Sequence, residues 1–188
     1  MIEAAPGRRR LGSLVVLLLA ATLFPAAVST LFIWRFFPDW WQLSVYFWYS
    51  IPGNSFILLP HEPAVLYAGT IYPAALVAAV GGLATMLASI VDHAFFTRAF
   101  RLKKLEPVKE TRIVRLTVRL FNRQPWWTIV VFAFTPLPFY PIRLVAPMSN
   151  YPVMGYVSAV VFGRIPRYFL LALGGAWVKY LTQSYLPW

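Results

Sequence analysis

Five ionisable side chains interrupt sequence that is otherwise apolar: Glu62, Asp92, Arg143, Arg164 and Arg167. Charge at membrane depth is costly, so such residues face a protein interior, pair with one another, or line a path for a substrate. A carboxylate whose proton affinity rises on desolvation could carry a proton through a cycle, a role open to Glu62 and Asp92. An arginine facing a wet cavity suits a phosphate, because its planar fork donates two parallel hydrogen bonds. Glu62 and Arg143 each stand near the tip of a proline-broken segment, and this pair is expected to meet. Asp92 with Arg164 or Arg167 is the second expected pairing. Either pair could instead be structural and fix helix register, and Asp92 could sit in water at the cytoplasmic interface.

Catalysis would need convergent nucleophiles, bases or metal ligands. His61 and His93 are the only histidines, neither has a second ligand at metal spacing, and there is no cysteine. No Gly-x-Ser-x-Gly, His-Glu-x-x-His or phosphate-binding glycine loop occurs. The chain is therefore not read as an enzyme, and no metal or cofactor is expected. His61 is expected to cap or hydrogen-bond at its chain break.

The elements that position these residues are membrane elements. Of 188 residues, 60% are apolar and 12% charged, whereas a soluble domain carries about 25% charged residues. The net charge is +11, from 17 Lys+Arg against 6 Asp+Glu. The basic residues cluster beside apolar stretches, which points to anionic lipid head groups rather than nucleic acid. An all-α integral membrane protein is expected, with a basic N-terminus at 1–10 and one membrane domain at 11–188.

Leu11–Trp34 follows Arg8, Arg9 and Arg10 and is long enough to cross a hydrocarbon core of about 30 Å. It is read as a retained anchor with a cytoplasmic N-terminus, in preference to a cleaved signal peptide, although Ala27-Val28-Ser29 loosely imitates a cleavage site. A partly inserted piece is expected at Leu43–Leu59, a half-helix at Pro63–Thr70 and a full span at Pro73–His93. Phe100–Arg123 is too charged for hydrocarbon and is assigned to the cytoplasm, so two full crossings precede it. Trp126–Pro147 carries Pro136, Pro138, Pro141 and Pro147 and cannot be one helix. Met154–Trp188 holds the last span.

Within the charged interval, at about 101–124, Arg112, Arg115, Arg119 and Arg123 fall on one helical face. Val114, Val118 and Phe121, with Ile113, Leu116 and Leu120, make an apolar side. A basic amphipathic helix lying on the inner leaflet, in contact with anionic lipids, fits this pattern. The alternative is a solvated linker helix packed on the rest of the protein.

One order of features occurs twice. Pro60-His61-Glu62-Pro63, Ala68-Gly69 and Tyr72-Pro73 lead into one span; Pro136-Leu137-Pro138, Ala146-Pro147 and Tyr151-Pro152 lead into the other. Interrupted segments in corresponding halves point to an inverted repeat with a midplane site. Two opposed re-entrant hairpins are expected, broken at Pro60, Pro63, Pro136, Pro138 and Pro141.

At these residues the chain resembles the DedA family, also called the SNARE-associated or VTT-domain family. The resemblance covers roughly Pro60 to Gly175. It rests on Glu62-Pro63 with Ala68-Gly69, the glycine-bearing span ending in Asp92, Trp126-Trp127, Phe134-Thr135-Pro136, Ala146-Pro147-Met148-Ser149 and Gly163-Arg164-Ile165-Pro166-Arg167. It implies two facing re-entrant hairpins among several membrane helices, and an activity similar to lipid flippases or scramblases. By the same resemblance Glu62 matches the family's acidic residue in the first hairpin and Asp92 its later one. Bacterial members typically carry arginine just before the Phe-x-Pro of the second hairpin and again three residues after that proline. Here those places are Ala133 and Phe139, and arginine stands at Arg143 instead. That departure weakens the case for undecaprenyl phosphate, which some bacterial members are linked to recycling, and favours a divergent branch with another substrate.

The expected function is movement of a lipid or phosphate-headed amphiphile between leaflets of the inner membrane, with proton coupling as an option. The expected partners are membrane lipids. A non-transporting membrane-homeostasis scaffold and an intramembrane lipid-processing enzyme are the alternatives from other classes.

Overall fold

The computed structural model describes residues 23–55, 60–101 and 112–185. Expectations for Arg8–Arg10, for much of the first span, for the end of the Leu43–Leu59 piece and for most of the charged interval before Arg112 lie outside them. Every regular element among the described residues is helical. The chain divides into two compact units, Met1–Val45 and Tyr46–Trp188. In the first unit α1 (Leu23–Phe36) leads through a 3-10 turn at Pro38–Trp40 into the start of α2 (Trp41–Gly53), which from Tyr46 onward belongs to the second unit. Thr30 Oγ1 and Ser44 Oγ of the first unit lie 3.1 Å apart.

The second unit is built around two long helices, α4 (Ala74–Arg101) and α8 (Val153–Tyr185). At 28 and 33 residues and about 1.5 Å per residue, each exceeds the hydrocarbon thickness. They are the two helices among the described residues that are long and apolar enough to cross a membrane. Leu83, Leu87, Ile90 and Val91 on α4, and Phe162, Phe169, Leu170 and Leu173 on α8, are exposed. Apolar surface on that scale suits lipid rather than water. The expected span at Pro73–His93 thus starts one residue later and runs eight residues further, to Arg101.

Around this pair lie four shorter helices: α3 (Glu62–Ile71), α5 (Arg112–Arg123), α6 (Pro125–Phe134) and α7 (Tyr140–Met148). At ten residues or fewer, α3, α6 and α7 are too short to span a bilayer. Prolines account for their limits, in two ways. Pro136 and Pro138 lie in the irregular segment between α6 and α7, where missing amide donors prevent a continuous helix. Pro63 and Pro141 stand in the first turns of α3 and α7, where an amide would go unpaired anyway; they start helices rather than break them. At the end of α7, Asn150 adopts φ 51°, Asn150 N–H bonds Pro147 O and Tyr151 N–H bonds Ala146 O. This Schellman turn redirects the chain into α8.

Glycine sets the helix separations. A Cβ at Gly175 would collide with the Leu66 carbonyl of α3, and one at Gly69 with the Ala172 backbone of α8. One at Gly163 would lie 2.6 Å from Val130 O of α6. Small residues that let backbones touch are the usual currency of helix packing in lipid. Gly175→Val is expected to cost at least about 1–3 kcal/mol, whereas Gly174→Ala, whose Cβ would meet Leu66 Cδ2 at an ordinary 3.6 Å, is expected to be tolerated. Thermal unfolding of the two variants in detergent checks this.

The α5 face differs from the expected one. Arg115, Arg119 and Arg123 share the exposed side, as their spacing predicts, while Thr117 and Phe121 are buried. Leu116 and Leu120 are exposed beside the arginines instead of packing inward. At about 100° per residue they fall between the basic stripe and the buried one, so the apolar side is split.

Candidate functional site

The end of α2 meets the second half of the chain through Arg143. This α7 residue is buried and donates from Nη1 to Ser55 O and from Nη2 to Asn54 O. These are carbonyls that a terminating helix leaves unpaired and that attract a cation. Arg143 Nε lies 3.1 Å from Asp92 Oδ2 of α4, close enough for an ion pair although not aligned as a hydrogen bond. Ser55 O–H donates to the other oxygen, Asp92 Oδ1, at 2.7 Å. Asp92 is 1% exposed, so it does not sit in interfacial water as one expectation allowed.

A second bridge mirrors the first. Arg167 of α8 donates from Nη2 to Glu62 Oε1 at 2.6 Å and from Nη1 to Thr135 O at 2.6 Å. Thr135 closes α6 as the Asn54–Ser55 turn closes α2. In each bridge one arginine holds a carboxylate and the carbonyl end of a short helix.

Both expected pairings are therefore corrected: Glu62 pairs with Arg167 rather than Arg143, and Asp92 with Arg143 rather than Arg164 or Arg167. The reason is that α3 packs on α8 and α7 packs on α4. Each short helix after a break meets the long helix of the other half, so Glu62 and Arg143 find their ionic partners there and not in each other.

Beside the first bridge lies a buried polar network that sequence reasoning missed. His61 Nε2 is 2.9 Å from Ser50 Oγ and 3.3 Å from Asn54 Nδ2. Tyr168 O–H donates to Asn54 Oδ1 at 2.5 Å and lies 3.0 Å from Thr85 Oγ1. His61 occupies the N-cap position of α3 but its side chain caps nothing; of the two expected roles it takes the other, hydrogen-bonding across the break to Ser50 of α2 and to Asn54 just after it. Asn54 and Ser55, after Pro52-Gly53, read only as turn residues, which hid their carbonyl contacts.

Arg164 is different in kind. It is buried, its Nε has no hydrogen-bond partner, and it forms no ion pair among the described residues. Its guanidinium carbon sits 5.4 Å from the Phe139 ring centroid, and that of Arg143 sits 5.7 Å from the same centroid. The aromatic face offers each cation a weak partner but no acceptor. Among the described residues no cluster of three His, Asp or Glu could hold a metal ion.

A family model described as the VTT domain matches residues 59–177. The chain belongs to the VTT-domain family. It is accordingly a membrane protein of the DedA, or SNARE-associated, group. The chain matches no curated protein and no solved structure. The four charged residues of the two bridges and Arg164 fall inside the matched range, whereas Asn54 and Ser55 precede it. Phe139, where the resemblance led one to expect an arginine, is flanked in this VTT-domain protein by two arginines from elsewhere, Arg143 and Arg164.

Proposed function

We propose that this VTT-domain protein moves a lipid or phosphate-headed amphiphile from one leaflet to the other. The observation that carries the reading is Arg164, a buried arginine whose Nε has no hydrogen-bond acceptor and which forms no ion pair among the described residues. Such a cation is costly unless an anion arrives to pair with it, and its fork suits a phosphate. Arg143 is a weaker candidate, because its donors already serve Asn54, Ser55 and Asp92. The crossed bridges support an inverted repeat of two re-entrant hairpins, α2 with α3 and α6 with α7, around this region. Glu62, 47% exposed at its side chain, is the carboxylate placed to exchange a proton if the cycle is coupled. Three arginines before the first apolar run support a cytoplasmic N-terminus in the inner membrane.

Proteoliposomes loaded with a fluorescent phospholipid or a polyprenyl phosphate test the reading. Wild type is expected to move at least one of them. Arg164→Gln should lower the rate roughly tenfold or more, as loss of a charged hydrogen bond of about 1.5–3 kcal/mol implies, without lowering thermal stability. Equal rates would remove Arg164 from the path. Folded wild type that moves neither lipid would favour the scaffold alternative.

A further inference from the structure

The join between α5 and α6 holds a groove of about 400 Å³ lined by Leu120, Arg123, Gln124, Trp127, Val131 and Phe132, with Thr128 between them. That volume lies in the range of small-ligand sites, about 300–1,000 Å³. Leu120, Trp127 and Val131 remain between 44% and 56% exposed, and Arg115, Arg119 and Arg123 are exposed on α5 as well.

The groove has a polarity gradient along its length. Arg123 and Gln124 form one end, at the last turn of a helix too basic for hydrocarbon. Val131 and Phe132 form the other, about 10 Å further along an apolar helix. Trp127 lies between, the residue type that favours the head-group boundary. A lipid with an anionic head group and an acyl chain has that profile over that distance. Leu116, exposed like Leu120, lies one turn before it on α5, and Arg119 lies one turn before Arg123, so the apolar and the basic stripe both continue past the groove.

We propose that this groove binds one anionic glycerophospholipid, its head group on Arg119 and Arg123 and its acyl chain against Leu120, Trp127 and Val131. The site is independent of the transport reading and stands whether or not any lipid crosses.

The test is quenching of tryptophan fluorescence by lipids brominated in the acyl chain, in nanodiscs. Trp127→Phe, measured beside wild type, isolates the part of the signal that belongs to Trp127. Brominated phosphatidylglycerol is expected to quench that part at a membrane fraction several-fold lower than brominated phosphatidylcholine, roughly fivefold per arginine engaged. Arg119→Gln with Arg123→Gln should abolish the preference. Wild type in 1 M salt, where the screening length falls to about 3 Å, should do likewise without any substitution. Equal quenching by both lipids would overturn the proposal, as would a preference that survives both treatments. Absence of quenching by either lipid in nanodiscs that hold two copies would make the groove a face between copies and overturn it as well.

Discussion

Arg143→Met is expected to yield little folded protein. The substitution removes the donors for two helix-end carbonyls and takes away the guanidinium that lies 3.1 Å from the buried Asp92 carboxylate. Breaking a buried pair from one side costs about 3–5 kcal/mol, a large share of the roughly 5–15 kcal/mol by which proteins are stable. Asp92→Asn should cost less, because Ser55 O–H can still donate to the amide oxygen and Arg143 keeps its carbonyls. Arg143→Lys should fall between, since an ammonium cannot span two carbonyls and a carboxylate as a planar fork does. The double substitution Arg143→Met with Asp92→Leu should recover part of the loss, because no charge is then left buried, but not all, because Asn54 O and Ser55 O stay unpaired. Size-exclusion profiles and thermal midpoints in detergent check the series. Wild-type stability in Arg143→Met would show that the clamp contributes nothing.

The second large effect is expected at the other bridge. Glu62→Arg would bring a second cation to within reach of Arg167 in place of a carboxylate 2.6 Å from it. At an effective dielectric of about 20, a charge pair at 4 Å is worth about 4 kcal/mol. Because Glu62 is 47% exposed, solvent screening reduces the swing to a few kcal/mol. The protein should unfold at a clearly lower temperature. Glu62→Arg combined with Arg167→Glu should restore much of the loss, since the pair is rebuilt with its signs exchanged. Recovery should stop short of wild type, because Glu at 167 cannot donate to Thr135 O. A double substitution no better than Glu62→Arg alone would mean that the pair is not the source of the effect. Glu62→Gln is the milder probe: it keeps a hydrogen-bond acceptor for Arg167, so a large loss of lipid movement with small loss of stability would point to the proton rather than the bridge.

Most of the elements were legible because they follow from local chemistry. Apolar length called for α4 and α8, the arginine spacing for α5, and the prolines for the break between α6 and α7. Pro63–Thr70 was expected as a half-helix, and α3 covers Glu62–Ile71. The ionic partners were not legible in the same way. Periodicity says which face of a helix carries Arg143 or Arg167, but not which helix lies opposite that face. Two broken segments with a charge near each tip invite the inference that the two charges pair, yet here each pairs with a residue of the opposite long helix. Backbone acceptors were invisible for a further reason. Asn54 O, Ser55 O and Thr135 O exist at every residue type, and only the place where a helix stops turns them into arginine sites. Leu116 and Leu120 failed because a basic amphipathic helix was assumed to have two faces, whereas α5 has a buried stripe, a basic stripe and an apolar one between them.

The crossed bridges also bear on how the protein is made. Ser55 and Arg143 are 88 residues apart in the chain, and at about 5–20 residues per second a ribosome takes on the order of ten seconds to pass from one to the other. Throughout that interval Asp92 lacks its Arg143 partner, and the Asn54 and Ser55 carbonyls lack the guanidinium that later binds them. The first half is therefore made before the Arg143 contacts that tie it to the second can form. A fragment ending before Arg143 is expected to be degraded in the cell rather than to accumulate, which makes the order of synthesis, and not only the finished contacts, part of what this sequence has to solve.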